Sequence, residues 1–374
     1  MLIGLACILQ SSAAYSEPAK EYDWVFIYYM AFDNDRSVFG ETILNEISNG
    51  IIDSNVTAVV QADFSDMEGM RRISLSRVNG KLKREEYLLE SENSADENEY
   101  KKYLEWVEKN WKAKNYAIVL FDHGGTLNSM NLDDKPFKNP GQNVNLAMSE
   151  KWQNAMKIGE ICRQFHQTTE RKVRLLFFHQ CGRASLENLY SFVDTADYIM
   201  ALPVIAFVNN AHCKKMLEYA AQHPNISGAE LAQIIMKEAK QNITTLISNN
   251  ELQHLPERLQ RLLNPLEKVE KLSFTDSFIT VFHWGDEANY DVKSFLLAIR
   301  PSSSKSFSQE IDRFIEWYEQ KLIVKKHSKK ENYSQLSGLS LHIPGNREQM
   351  QRYTFLSLYQ QTDIVKMFEK LLDQ

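Results

Sequence analysis

Five short apolar runs punctuate the first half of the chain: Trp24–Met30, Val56–Gln61, Ile73–Val78, Tyr116–Phe121 and Val173–Phe178. Each has the length and the β-branched or aromatic content of a strand. Between several of them, apolar positions recur at helical spacing instead. In Ser94–Lys112 the residues Tyr100, Leu104, Val107 and Trp111 make one apolar face, and Ser94 with Glu97 reads as a capping box. Ser149–Gln167 repeats the arrangement with Trp152, Met156, Cys162 and Phe165. This alternation predicts an α/β fold with a central, largely parallel sheet. The loops beginning at Asp122 and His179 then leave the carboxyl ends of strands, where open α/β sheets bind ligands.

The stretch Thr126–Asn145 is rich in Asn, Asp, Pro and Gly and predicts an exposed loop. From about Ser227 onward the pattern is mostly helical, with Ser227 and Glu230 as a second capping box, an amphipathic run over Ser306–Val324, and a late strand at Leu339–Ile343 closed by Pro344. The expected organisation is a leader over residues 1–20, a core over 21–225 and a mostly helical part over 226–374 packed on that core.

Composition narrows the function classes. The 374 residues are 43% hydrophobic and 25% charged, as in globular chains, and the net charge of −6 gives no basic face, so nucleic acid is not an expected partner. Four cysteines (Cys7, Cys162, Cys181, Cys213) lack both the density of a disulfide scaffold and the spacing of a zinc site. The opening MLIGLACILQSSAA is apolar and ends in small residues, as an export signal does, although it has no basic start. Export to the periplasm, cell surface or medium is therefore expected. Leu5-Ala6-Cys7 is similar to a lipoprotein cleavage site, with the large apolar residue one position too close to the cysteine.

Two loops carry candidate chemistry: Asp122-His123-Gly124-Gly125 and His179-Gln180-Cys181-Gly182. Attack by a cysteine on a carbonyl needs a thiolate, a proton carrier and donors for the oxyanion, roles open to Cys181, His123 and the backbone N–H groups around Gly124 and Cys181. No cofactor is required for that chemistry. The same residues also fit a bland reading, a buried core cysteine and a histidine satisfied at a strand end.

A wider set of motifs resembles the clostripain family of cysteine peptidases, in the clan of caspases, gingipains and legumains. Val25–Asp35 is similar to its opening strand and Asp-Asn turn, Val56–Asp63 to its second strand, and Cys181–Glu187 to its cysteine-to-helix segment. Tyr290-Asp291 with Phe295-Leu296, and Ser337–Ser340, resemble its C-terminal signatures. The resemblance implies a caspase-like α/β/α sandwich with a helical C-terminal extension, endopeptidase activity on protein or peptide substrates, His123 and Cys181 as catalytic pair, Gly124 as oxyanion donor, self-cleavage within 126–145, and, as in clostripain, a role for calcium. The rival reading is a catalytically inactive peptide-binding module of the same fold; a third is transpeptidation with the same dyad.

The sequence also departs from that family. Where its members place an acid two residues before the nucleophile to bind P1 arginine or lysine, this chain has His179, and Met200–Asn210 contains no acid. A P1 cation there would lack a counter-charge, so another P1 preference, neutral or acidic, is expected. On a strand, His179 and Cys181 share a face, which makes His179 a specificity-pocket candidate, a competing base, or a plain structural hydrogen-bonder. Gly125 is followed by Thr126-Leu127 where the family tends to carry glycine and tryptophan. His283, Asp286, Glu287 and Asp291 offer carboxylates suited to calcium or a solvated turn, and Lys325–Lys330 reads as a solvated basic loop.

Overall fold

The computed structural model describes residues 20–65, 69–136, 151–207, 210–268, 272, 278–300 and 304–373. Fourteen strands occur among them: β1 (Glu21–Phe32), β2 (Val56–Phe64), β3 (Arg71–Val78), β4 (Lys81–Leu88), β5 (Lys112–Phe121), β6 (Ser129–Leu132), β7 (Trp152–Asn154), β8 (Val173–His179), β9 (Tyr198–Ala201), β10 (Ile243–Ser248), β11 (Thr280–Trp284), β12 (Glu287–Asp291), β13 (Ile323–Ser328) and β14 (Ser340–His342). Nine form one sheet in the order β13-β10-β9-β8-β5-β1-β2-β3-β4. The central five, β9-β8-β5-β1-β2, are parallel, and antiparallel pairs extend both edges.

The long apolar runs of β1, β5 and β8 follow from their central position, because a strand covered on both faces must be apolar at every residue. Alternate residues of β1 go to opposite cores. Val25, Ile27 and Tyr29 join a core roofed by the helices Glu97–Asn110 and Ala155–Thr168 and by C-terminal helices such as Lys305–Trp317. Trp24, Phe26, Tyr28 and Met30 join the other, under the helices Gly40–Gly50, Ala211–Gln222 and Gly228–Glu238. The result is the mixed α/β fold with a mostly parallel sheet that the strand pattern led us to expect, in the three-layered sandwich that the family resemblance implied. Cys162 and Cys213 are buried free thiols within these cores.

Several local expectations are corrected. Ser94 does not cap a helix: Asp96 does, accepting from Asn98 N–H, while Ser94 N–H and Oγ both bind Asp133 Oδ2 at 2.9 and 3.2 Å. The tertiary partner outcompetes the local one. The apolar Trp152 belongs to β7, so the following helix begins at Ala155 with Asn154 as cap. Strand β4 centres on the charged run Lys83–Glu86 and its apolar residues Leu82, Tyr87 and Leu88 are exposed; it is an edge strand, protected by charge, and is turned back from β3 by Asn79-Gly80, both at positive φ. The C-terminal part is less purely helical than its pattern suggested, since β10 and β13 complete the main sheet. Lys325–Ser328 accordingly lies in that edge strand and not in a loop. The capping box of Ser227 and Glu230 is present as expected. Among the described residues no helix is long and apolar enough to cross a membrane.

Candidate active site

The parallel strands β1, β5 and β8 lie side by side, with Tyr28 opposite Val119 and Phe121 opposite His179, so their carboxyl ends open together. Phe121, Phe177 and Cys181 all belong to the core face that carries Phe32, and the ring of His179 packs on Phe121 and Phe177 with centroids 4.0 and 5.3 Å apart. His179 and Cys181 thus share a face, as strand alternation requires.

His123 is held from two sides. Its Nε2 pairs with Asp35 Oδ1 at 2.7 Å. The preceding Asp122, fully buried, accepts from Asn34 Nδ2 at 3.0 Å and from Leu132 N–H, which pins the turn after β5 to the turn after β1. Burial lowers the His123 pKa below its ordinary value, the nearby Arg36 charge lowers it further, and Asp35 opposes both. The imidazole is therefore neutral at pH 7, with Nε2 carrying the proton toward the carboxylate.

The two loops are locked together by backbone contacts. A β-carbon on Gly124 would lie 2.0 Å from the carbonyl oxygen of Cys181, so no larger residue fits. Arg183, fully buried, donates through Nε to Cys181 O at 3.2 Å and through Nη2 to Gly125 O and Thr126 O at 2.9 and 2.8 Å. Burial lowers its pKa to about 10, which still leaves it cationic at neutral pH. Gln180 Nε2 reaches His123 O at 3.1 Å and Asn131 Oδ1 at 2.6 Å. One buried fork and one amide thereby set the histidine loop against the cysteine loop.

Cys181 lies two residues beyond the end of β8, in a strand-to-helix turn. Gly182 follows at φ +66°, and Ser185 caps the short helix Leu186–Ser191. The turn is pinned to the segment after β9 by Gly182 N–H to Val204 O and Ala184 N–H to Leu202 O, both 3.1 Å. Sγ accepts from Ala206 N–H at 3.3 Å and makes no hydrogen bond to His123. The N–H groups of Gly124 and Cys181 have no acceptor among the described residues.

His179 is closed off from solvent. Its Nε2 accepts from Gln241 Nε2 at 3.0 Å, which leaves the proton on Nδ1, an atom without a partner. Burial first, then His212 and Arg36, hold the ring neutral. It neither bonds Cys181 nor reaches solvent, an arrangement that speaks against a base. Sequence reasoning singled out neither Arg36, Arg183 nor Gln241. Arg183 carried a signal, lying inside the quoted Cys181–Glu187 segment; Arg36 and Gln241 matter through tertiary proximity alone.

The acidic group near His283 does not converge. Asp286 pairs with Arg352, Glu287 takes the Tyr353 hydroxyl, and Asp291 caps Ser294 and accepts from Ser337. Three other carboxylates do converge: Asp33, Asp63 and Asp133 bring one oxygen each to within 4.8 Å of one another. Asp33 Oδ1 and Asp63 Oδ2 are buried without hydrogen-bond partners. Burial and then Asp33 raise the Asp133 pKa to about 7, and burial followed by Asp133 raises Asp63 well above its ordinary value. An unpartnered Asp63 Oδ2 and an Asp33 Oδ1 that meets only Lys135 Nζ at 3.9 Å, in a like-charged group, fit a hard divalent cation such as calcium.

The sequence matches the Clostripain family over residues 28–368. The chain belongs to the clostripain family of cysteine peptidases. Among solved structures, an inactive zymogen C11 protease from Parabacteroides distasonis superposes with a TM-score of 0.70 at 16% identity, over 92% of this chain and 99% of that one. Secreted C11 cysteine proteases from Bacteroides thetaiotaomicron superpose with TM-scores of 0.68 at 12% identity and, in complex with an irreversible peptide inhibitor, 0.65 at 16%, each with the same coverage. Curated proteins yielded no match. At these identities the structural likeness speaks for the fold, and it agrees with the clostripain family match that spans the sheet, the site and most of the C-terminal helices.

Proposed function

We propose that this chain is an exported cysteine endopeptidase in which Cys181 is the nucleophile and His123 the acid/base. The Cys181 thiolate would add to the scissile carbonyl, and the free N–H groups of Gly124 and Cys181 would take the oxyanion. With Nε2 of His123 committed to Asp35, Nδ1 is the nitrogen left to carry the thiol proton and deliver it to the departing amine. A water deprotonated by the same imidazole would then cleave the thioester. The observation that supports this reading best is the pair of unsatisfied N–H groups beside a histidine and a cysteine locked on adjacent strand ends.

The P1 residue in this reading is neither arginine nor lysine, because His179 and Leu202–Phe207 bring no carboxylate to the site. The loop over 126–145 is the proposed self-processing segment; its residues 137–145 lie outside the described ones. The calcium role is assigned to Asp33, Asp63 and Asp133, and export rests on the apolar start, which lies outside the described residues, and on the secreted relatives.

The deciding experiment exposes the protein to peptidyl electrophiles with varied P1 groups and reads intact mass. Covalent labelling of Cys181, abolished in Cys181→Ala and slowed at least a hundredfold in His123→Ala, is expected. Inertness toward every P1 group would favour a peptide-binding module instead.

A further inference from the structure

Arg36 follows β1 and is almost fully buried, yet its side chain forms no ion pair and no hydrogen bond among the described residues. Nε and Nη1 are sealed from solvent without acceptors, and Nη2 is neither sealed in with them nor bonded to a protein acceptor. A buried guanidinium left unpaired is costly, so the fold keeps it for a reason that the free protein does not satisfy.

Its position suggests that reason. Arg36 N–H is fixed by Asn34 Oδ1 at 2.9 Å, and the same Asn34 holds Asp122. The neighbouring Asp35 holds His123. The guanidinium charge is felt by Asp122, His123 and His179, at the ends of the neighbouring β5 and of β8 beyond it. The one buried carboxylate among these, Asp122, is more than ion-pair distance away and already engaged by Asn34 and by Leu132 N–H. Asp35 is bonded to His123, and the segment Leu202–Phe207 that covers Cys181 has no acid. Arg36 is thus a buried cation without an ion pair or side-chain hydrogen bond among the described residues, at the strand ends that carry His123 and His179.

We propose that the enzyme cleaves after acidic residues, the P1 carboxylate being held by Arg36 in a subsite floored by His179. The carboxylate supplies the acceptors that Arg36 lacks in the free protein, a charge-assisted contact. A P1 lysine or arginine would meet a like charge, and a neutral side chain would leave the guanidinium buried and unpaired. His179 contributes shape beneath the subsite, its ring fixed by Gln241, which is itself clamped to Phe207 O and N–H at 2.6 and 2.8 Å. This inference rests on the peptidase reading above and adds the substrate class to it.

The test is turnover of a fluorogenic peptide library that differs only at P1. Asp or Glu at P1 is expected to exceed Arg, Lys, Leu and Asn at least tenfold in kcat/KM. Arg36→Gln should lower kcat/KM for the aspartyl peptide about a hundredfold, mostly through KM, and should collapse the Asp-over-Asn ratio toward one. A purely structural arginine would lower both substrates equally and keep the ratio, which overturns the proposal. Wild-type preference for a basic or neutral P1 overturns it as well while leaving the peptidase standing. A wild type that turns over no peptide and whose Cys181 no electrophile labels overturns both.

Discussion

Gly124 faces the carbonyl oxygen of Cys181 so closely that an added β-carbon would sit 2.0 Å from it. The proton carrier's loop and the nucleophile's loop therefore touch through backbone, a spacing no side chain can imitate. Gly124→Ala must push the two loops apart. We expect kcat/KM to fall at least a hundredfold with a stability loss of about 1–3 kcal/mol, read by peptide turnover and urea unfolding; unchanged turnover would contradict the contact.

Arg183 joins the same loops from below, with donors to three carbonyls. Arg183→Met removes the fork and strands those buried acceptors, which costs about 3–5 kcal/mol by the usual range for breaking a buried charged contact. Arg183→Lys keeps the charge and not the geometry, and should recover only part of the loss. Chemical denaturation of the three proteins checks the order wild type, Lys, Met.

Asp35 raises the pKa of His123 against burial and Arg36. Removing its charge in Asp35→Asn should move the acid limb of the kcat/KM profile to lower pH. Because the Asp35 side chain is largely exposed, the difference between the two proteins should shrink with added salt. A shift to higher pH, or none at low salt, would mean that Asp35 does not set the imidazole.

Asp133 has an unfolded pKa near its model-peptide value and a folded one raised to about 7. A carboxyl that holds its proton more tightly when folded loses stability as pH rises, here between about pH 4 and pH 7, by on the order of 4 kcal/mol as an upper bound. Metal-free protein should therefore melt at falling temperatures across that window, and Asp133→Asn should flatten the slope. Calcium, competing with protons, should raise the melting temperature of the wild type most above pH 7 and that of Asp133→Asn least. No calcium effect at pH 8 would remove the cation assignment.

The segment over 126–145 contains β6, which pairs with β7, so after a nick beyond Leu132 the chain on either side stays held by that pairing. Wild-type protein should appear as two fragments by denaturing mass measurement, and Cys181→Ala as one chain. The new terminus also reports on specificity, since cleavage after Asp133, Asp134 or another acid would match Arg36, and cleavage after Lys135 or Lys138 would speak against it.

Local pattern was enough for the parallel core and for the pair at its edge. The middle stretches of β1, β2, β5 and β8 are buried on both faces, so their sequences are mostly apolar there, and His123 and Cys181 follow closely where such runs stop. The capping box at Ser227 was readable for the same reason, since its partners lie three residues apart. Elsewhere the decisive partner is distant. Ser94 turned from its own helix to Asp133, 39 positions away. Asp63 at the end of β2 and Asp133 after β6 come together with Asp33 in one acidic group, and Gln241 reaches His179 across 62 positions. Arg36 reads in the chain as one more charge after a turn, and only the packing of β1 against β5, and of β5 against β8, leaves that charge buried, without an ion pair among the described residues, and within reach of His123 and His179. Contacts made within a helix turn or along a strand are written in spacing; desolvation and charge compensation depend on what the fold brings from elsewhere.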